Sequence, residues 1–161
     1  MFKAMKWKKP PLNKVYEALA VIADGRIKIT GNTAQIVSSS GNKTYQVIYS
    51  PKKNAITAND NGSFWQGYLG YTCIAFLLKK GLVEFDHGLA KYLKGFMWKD
   101  MAGRFKHDYN QIDAFVEQEI AKKHPNFNLA EFHKQLEKIL ADAMKLDLNR
   151  LRSPKKPPAG Y

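Results

Sequence analysis

The sequence has very few residues that could bind a metal or form a disulfide. Only one of its 161 residues is cysteine, Cys73, and four are histidine. One cysteine excludes an intrachain disulfide framework and a cysteine-rich zinc site. The histidines form neither an HExxH motif nor a Cys/His cluster; they are His87, His107, His124 and His133. We therefore expect no bound metal and no cofactor.

Long apolar runs are also missing. The longest one, from Tyr68 to Leu78, contains Gly70 and Thr72 and is too short to span a bilayer. The basic N-terminus, MFKAMKWKKPPL, has no apolar segment of signal-peptide length. The sequence therefore predicts a cytoplasmic protein without a membrane partner.

Acidic residues are scarce at the two ends of the chain. The sequence holds 26 Lys or Arg against 14 Asp or Glu, a formal net charge of +12. Residues 1–30 carry seven basic and two acidic residues, residues 150–161 carry four basic and no acidic ones, and residues 101–149 are nearly balanced. Basic ends of this kind attract polyanions. A soluble basic protein with a disordered tail would have the same composition.

Apolar spacing predicts a small antiparallel sheet packed on helices. Residues 13–22 have helical spacing, with Asn13 as a candidate N-cap. Four short segments have the alternation and flanking turn residues of strands: 26–30, 34–38, 45–49 and 55–58. A very apolar helix is expected from Trp65 to Lys80, ended by Gly81. The fold class is therefore α+β, with a β-meander of about four strands and this helix as its core.

The C-terminal part predicts a helical hairpin. After a short helix near residues 89–96, one long helix is expected, with a continuous apolar stripe formed by Trp98, Met101, Phe105, Ile112, Val116 and Ile120. Pro125 ends it, and Asn128 with Glu131 begins a second helix in the manner of a capping box. Two helices of similar length joined by a short loop should pack antiparallel.

Residues 13–81 resemble the SWIM domain, a small module that usually binds zinc. The similarity is carried by 18–22 before Asp24-Gly25-Arg26-Ile27, and by 34–38, 45–47, 56–60 and 70–75. The resemblance implies a helix, a meander of strands and a final helix. At the four ligand positions this sequence has Ile56, Ala58, Gly70 and Thr72, none of which binds zinc well. We therefore expect a SWIM-like fold in which hydrophobic packing replaces the metal.

Four segments follow from this interpretation. They are a basic N-terminal arm (1–12), a SWIM-like α+β domain without zinc (13–81), a helical extension (82–148) and a basic, Pro-rich flexible tail (149–161).

The leading functional hypothesis is a non-enzymatic protein that binds DNA or RNA electrostatically, largely without sequence preference. Phosphates would be contacted by Lys3, Lys6, Lys8, Lys9, Lys52, Lys53, Arg150, Arg152, Lys155 and Lys156. Trp7 would stack on a base; alternatively, it packs on the core.

Two other functions remain open. The helical hairpin could act as a protein-interaction or assembly module, or mediate a homodimer. An enzyme or small-molecule binder would need a pocket beside residues 59–72. No acid/base pair stands out, and Glu117 and Glu119 are interpreted as solvated helix residues.

Overall fold

A mixed five-stranded sheet forms one layer of the fold. The computed structural model describes residues 5–151 and 156–158. Four strands form an antiparallel meander: β1 (Ile27–Thr30), β2 (Thr33–Val37), β3 (Thr44–Ser50) and β4 (Ala55–Ala58). A short fifth strand, β5 (Asn149–Arg150), pairs with β4 in parallel. The α+β class and the meander predicted from the sequence are confirmed.

Alternation along the strands places apolar side chains on one face of the sheet. Ile36 lies opposite both Ile27 and Tyr45 in the register of β1, β2 and β3. In β2, Ala34 and Ile36 are buried, whereas their neighbours in the strand are not. Side chains alternate between the two faces of a pleated sheet, so this buried set faces the helices.

Helices cover that face and complete a single core. Their bounds are α1 (Asn13–Ala23), α2 (Tyr71–Lys80), α3 (His87–Ala90), α4 (Trp98–Arg104), α5 (Tyr109–Lys123) and α6 (Leu129–Lys145). One cluster of buried residues contains Leu19 of α1, Phe76 of α2, Val116 of α5 and Leu136 of α6. The predicted SWIM-like segment and the predicted helical extension therefore share one hydrophobic core.

The helix expected from Trp65 to Lys80 is shorter than predicted. Residues Gly62–Gln66 form a π-helical turn, and α2 begins only at Tyr71. Gly67 has a φ of 72°, a left-handed conformation that interrupts the helix. The C-terminal end is as predicted, because Gly81 ends α2 with a φ of 84°.

The long helix expected from Trp98 to Lys123 is two helices. Lys106 and His107 have positive φ angles of 51° and 60°, which end α4. The Asp108 side chain then caps α5 by accepting hydrogen bonds from the backbone N–H groups of residues 110 and 111. The predicted apolar stripe has a spacing of seven positions from Phe105 to Ile112, with no stripe residue at the break, so the spacing did not reveal it.

Two predicted helix caps have different outcomes. Asn128 caps α6 as expected, accepting a hydrogen bond of 3.1 Å from the Glu131 N–H. Asn13 does not cap α1: the N-cap residue is Leu12, and no side chain caps this end. The buried Asn13 amide instead donates to Asp113 of α5.

Backbone pairing ties residues of the predicted arm and of the predicted tail to the rest of the fold. The backbone of Lys6 pairs with Asn149, and that of Lys8 pairs with Tyr68. Asn149 and Arg150, which the sequence assigns to the flexible tail, form β5. Regular backbone pairing therefore includes residues of both the predicted arm and the predicted tail.

No helix within residues 5–151 and 156–158 is long and apolar enough to cross a bilayer. The cytoplasmic location stays a prediction.

Replacing Gly70 with alanine should destabilise the fold by about 1–3 kcal/mol, because an added Cβ would clash with the Ser63 hydroxyl and the Asp60 carboxylate. The backbone of Gly70 is extended, so the effect would be steric. Thermal unfolding followed by circular dichroism measures it.

Gly103→Ala is the matched control. No neighbouring atom lies within 4 Å of a Cβ at this position in α4, and alanine should stabilise the helix by about 0.5–1 kcal/mol. A Gly70→Ala protein as stable as the wild type would show that this contact is not tight.

Candidate functional site

A cleft of about 410 Å³ opens where α1, the β2–β3 turn, the π-helical turn and α4 meet. Six aromatic residues line it: Tyr45, Trp65, Tyr68, Tyr71, Trp98 and Tyr109. Lys14, Lys43, Lys99 and His107 supply basic groups, and Glu17 is the acidic residue. Hydroxyl and amide groups come from Ser38, Ser39, Ser40, Asn13, Asn61 and Gln66. The lining therefore combines flat rings with positive charge, a composition suited to planar anionic ligands.

The π-helical turn presents Trp65 at this cleft. The Trp65 side chain is 62% exposed, although its ring packs edge-on against Phe64 at 4.6 Å between centroids. Arg150 holds the turn from the other side by donating to the carbonyl oxygens of Ser63 and Phe64 at 3.3 and 3.2 Å. A large ring is thus kept in solvent by a fixed backbone, and π-helical turns are frequent at functional sites.

Lys14 is held in the cleft by an acidic and an aromatic neighbour. Its ammonium lies 3.2 Å from Glu17 and 5.1 Å from the centre of the Tyr109 ring. Burial lowers the Lys14 pKa, but the attraction of Glu17, Tyr68 and Tyr109 outweighs burial and raises the pKa above its ordinary value. Lys14 therefore carries its charge at neutral pH.

Tyr68 keeps its proton in the same environment. Burial, together with a hydrogen bond to Tyr109, raises the pKa of Tyr68 to about 12, against the opposing effect of Lys14. The cleft thus has a protonated phenol beside a charged ammonium at neutral pH.

A second cavity holds a cluster of carboxylates and their partners. Glu117 accepts hydrogen bonds from the Tyr16 hydroxyl at 2.7 Å and from His133 Nε2 at 2.6 Å. Asp113, one helical turn earlier in α5, accepts from Asn13. The interpretation of Glu117 as a solvated residue is therefore wrong, since it links α1, α5 and α6. The contact between Tyr16 and Glu117 gives no local signal in the sequence, because the two residues are 101 positions apart.

Burial raises the Asp113 pKa to about 6, with a further contribution from the nearby charges of Glu117 and Glu17. The hydrogen bond from Asn13 and the charge of His133 oppose this rise. Asn13 and Tyr109 line both this cavity and the cleft, so the two sites are neighbours.

Two residues expected to touch nucleic acid have internal partners instead. Trp7 is 6% exposed and its indole N–H donates to the Ile56 carbonyl oxygen at 3.1 Å. Arg150 lies over the Trp7 ring, 5.0 Å from its centre, while donating to the π-helical turn. Of the two alternatives for Trp7, the structure shows packing on the core.

The expected lysine contacts are spread over the surface. Lys8 and Lys9 are exposed beside the loop that carries Trp65, because the Lys8 backbone hydrogen-bonds to Gly67 and Leu69. Lys6 forms an ion pair of 3.1 Å with Asp147. These three lie on the ordered N-terminal segment.

Lys52, Lys53 and Lys156 are not among the described residues that line the cleft. Lys52 and Lys53 are exposed at the far end of β3, about 20 Å along the strand from Thr44. Lys156 is exposed, and Lys3, Arg152 and Lys155 lie outside the described residues.

Sequence reasoning did not identify five residues that line the cleft: Trp65, Lys14, Lys43, Lys99 and Trp98. For Trp65, the nearby glycines Gly62, Gly67 and Gly70 were the available signal that the helix is interrupted there.

The SWIM resemblance is wrong. Ile56 and Ala58 are buried in β4, while Gly70 and Thr72 are buried at the start of α2. The apolar spacing that suggested the resemblance is common to many helix-and-meander folds. Across the described ranges, no group of three or more His, Cys, Asp or Glu could hold a metal ion.

The described residues form a small α+β fold with a cleft lined by basic and aromatic residues. Residues 7–149 match a family model described as Uncharacterised conserved protein UCP014422, and the chain belongs to this family. This family, rather than SWIM, therefore accounts for most of the chain, including its C-terminal helices. No curated protein and no solved structure matches the chain.

Asp113→Asn should make the protein less sensitive to pH. Asp113 binds its proton more tightly when folded, with a pKa of about 6, than when unfolded, near 3.8. Its contribution to stability is therefore fully present below about pH 4 and is lost as pH rises through about 6. Replacing the Asp113 carboxylate with a neutral amide should raise the free energy of unfolding at neutral pH by about 1 kcal/mol. This is less than the pKa shift alone would give, because solvent screens the partly exposed carboxylate.

Chemical denaturation from about pH 4 to about pH 8 measures this effect. Glu84→Gln, which removes one exposed carboxylate, is the control and should leave the pH profile unchanged. Parallel profiles for the wild type and Asp113→Asn would contradict the assignment.

Proposed function

We propose that the protein binds single-stranded DNA or RNA without catalysing a reaction and largely without sequence preference. The observation that carries this proposal is the exposed ring of Trp65 at the edge of a cleft with three lysines. Proteins that bind single strands in this way combine a positive groove with aromatic rings on which bases stack.

The distribution of charge supports the same function. Lys43 and Lys99 line the cleft, and Lys8 and Lys9 lie on the segment next to the π-helical turn. A strand stacked on Trp65 would have its phosphates near these side chains. Phosphate contacts and base stacking are both insensitive to base identity, so little sequence preference is expected.

The alternative, an assembly module acting through α5 and α6, has less support. The apolar stripe of α6 is buried, including Phe132, Leu136 and Ile139, and α5 buries Ile112 and Val116. These side chains belong to the chain's own core. The hairpin has therefore used its main apolar faces internally.

A salt titration with labelled single-stranded DNA and RNA tests the proposal. Binding measured by fluorescence anisotropy should weaken with salt, with a log–log slope of about −0.7 per phosphate contact. Lys99→Ala should reduce the slope by about 0.7, whereas Lys134→Ala, on the exposed side of α6, should leave it unchanged.

Trp65→Ala should weaken binding about five- to hundred-fold at every salt concentration, because it removes stacking rather than charge. The salt slope of this variant should match that of the wild type. The absence of binding at low salt, or equal affinity of Trp65→Ala and wild type, would refute the proposed mode.

A further inference from the structure

Two residues that line the cleft each have a buried polar atom without a hydrogen-bond partner among the residues that the structure describes. Asn13 is 1% exposed and its Oδ1 is unpaired, while Trp98 is 7% exposed and its Nε1–H is unpaired. Both residues line the cleft, one from α1 and the other from α4. Buried polar groups are normally paired, and leaving one unpaired costs about 1–3 kcal/mol.

The two atoms are of opposite kinds. The Asn13 oxygen can accept a hydrogen bond and the Trp98 nitrogen can donate one. The amide nitrogen of Asn13 is already used on Asp113, which fixes the orientation of the side chain. A ligand that offers one donor and one acceptor would satisfy both atoms together.

The other walls restrict the shape and charge of that ligand. Tyr68 and Tyr109 are held by a mutual hydrogen bond, and Lys14 lies over the Tyr109 ring. These rings favour a flat ligand, and the lysines of the cleft favour an anionic group on it. The volume of about 410 Å³ lies within the usual range for small-molecule sites.

We propose that the cleft holds one nucleotide unit, with the polar edge of its base on Asn13 and Trp98 and its phosphate near Lys43 and Lys99. Each common base carries a donor and an acceptor on its Watson–Crick edge, so each of them offers a partner for both atoms. For a nucleotide within a strand, the inference rests on the proposed function. A free mononucleotide would use the same contacts without strand binding.

The test is a titration of the full chain with each of the four nucleoside monophosphates, followed by nuclear magnetic resonance. The three tryptophan indole N–H signals are assigned with single Trp→Phe variants. The Trp98 signal should move in the direction of hydrogen-bond formation. The Trp7 signal should remain in place, because its N–H is already bonded to Ile56.

Ribose 5-phosphate is the control ligand, and should leave the Trp98 signal unmoved because it has no base. Trp98→Phe should weaken mononucleotide binding about tenfold, the value of one lost hydrogen bond. Tyr92→Phe is the control variant: it removes a hydroxyl from a ring that packs against Phe127 and Phe132, away from the cleft, and should not change the affinity.

The outcomes separate this inference from the proposed function. Single-strand binding without any movement of the Trp98 signal would overturn the nucleotide pocket and leave strand binding intact. A Trp98 response to mononucleotides without strand binding would support the pocket and refute the proposed function. A Trp98 signal unmoved by all four nucleotides overturns the inference even if Trp98→Phe fails to fold.

Discussion

The buried carboxylate of Asp60 holds together the segment on which the cleft depends. Asp60 is 3% exposed and accepts hydrogen bonds from the Ser63 N–H and the Thr72 hydroxyl. It therefore joins the π-helical turn to the first turn of α2, where the helix dipole also favours a negative charge. A carboxylate in this position is stable only when its oxygens are paired, so the turn and the helix are fixed relative to each other.

That constraint explains why Trp65 lies in solvent. If residues 65–70 formed an N-terminal extension of α2, Trp65 would belong to the same helix as residues 72–78, which are all buried. The Asp60 contacts and the left-handed Gly67 instead turn the chain, and Arg150 binds the carbonyl oxygens left by the turn. Arg150, which the sequence suggested for phosphate binding, thus supports the turn that carries Trp65. Trp65 replaces Trp7 as the candidate base-stacking residue.

Local signals in the sequence predicted the fold well and the candidate site poorly. The four strands of the meander were placed within one residue at each end, because alternation and turn residues act over short distances. The helix breaks at Gly67 and at Lys106 were missed. The first depends on Asp60, and the second places Lys106 and His107 at positive φ, which is uncommon for residues other than glycine. The cleft joins residues 13, 43, 65 and 98, and sequence spacing carries no information about that proximity.

Three departures from local rules lie at the cleft. Asn13 leaves the end of α1 without a side-chain cap, although a cap is worth about 0.5–2 kcal/mol. His107 adopts a positive φ, and the buried Trp98 indole N–H has no hydrogen-bond partner within the described part of the chain. All three residues line the same cleft. Unfavourable local features of this kind persist where the surrounding structure holds them in place, and they are frequent at functional sites. Helix α6, by contrast, has both the predicted cap and the predicted apolar stripe.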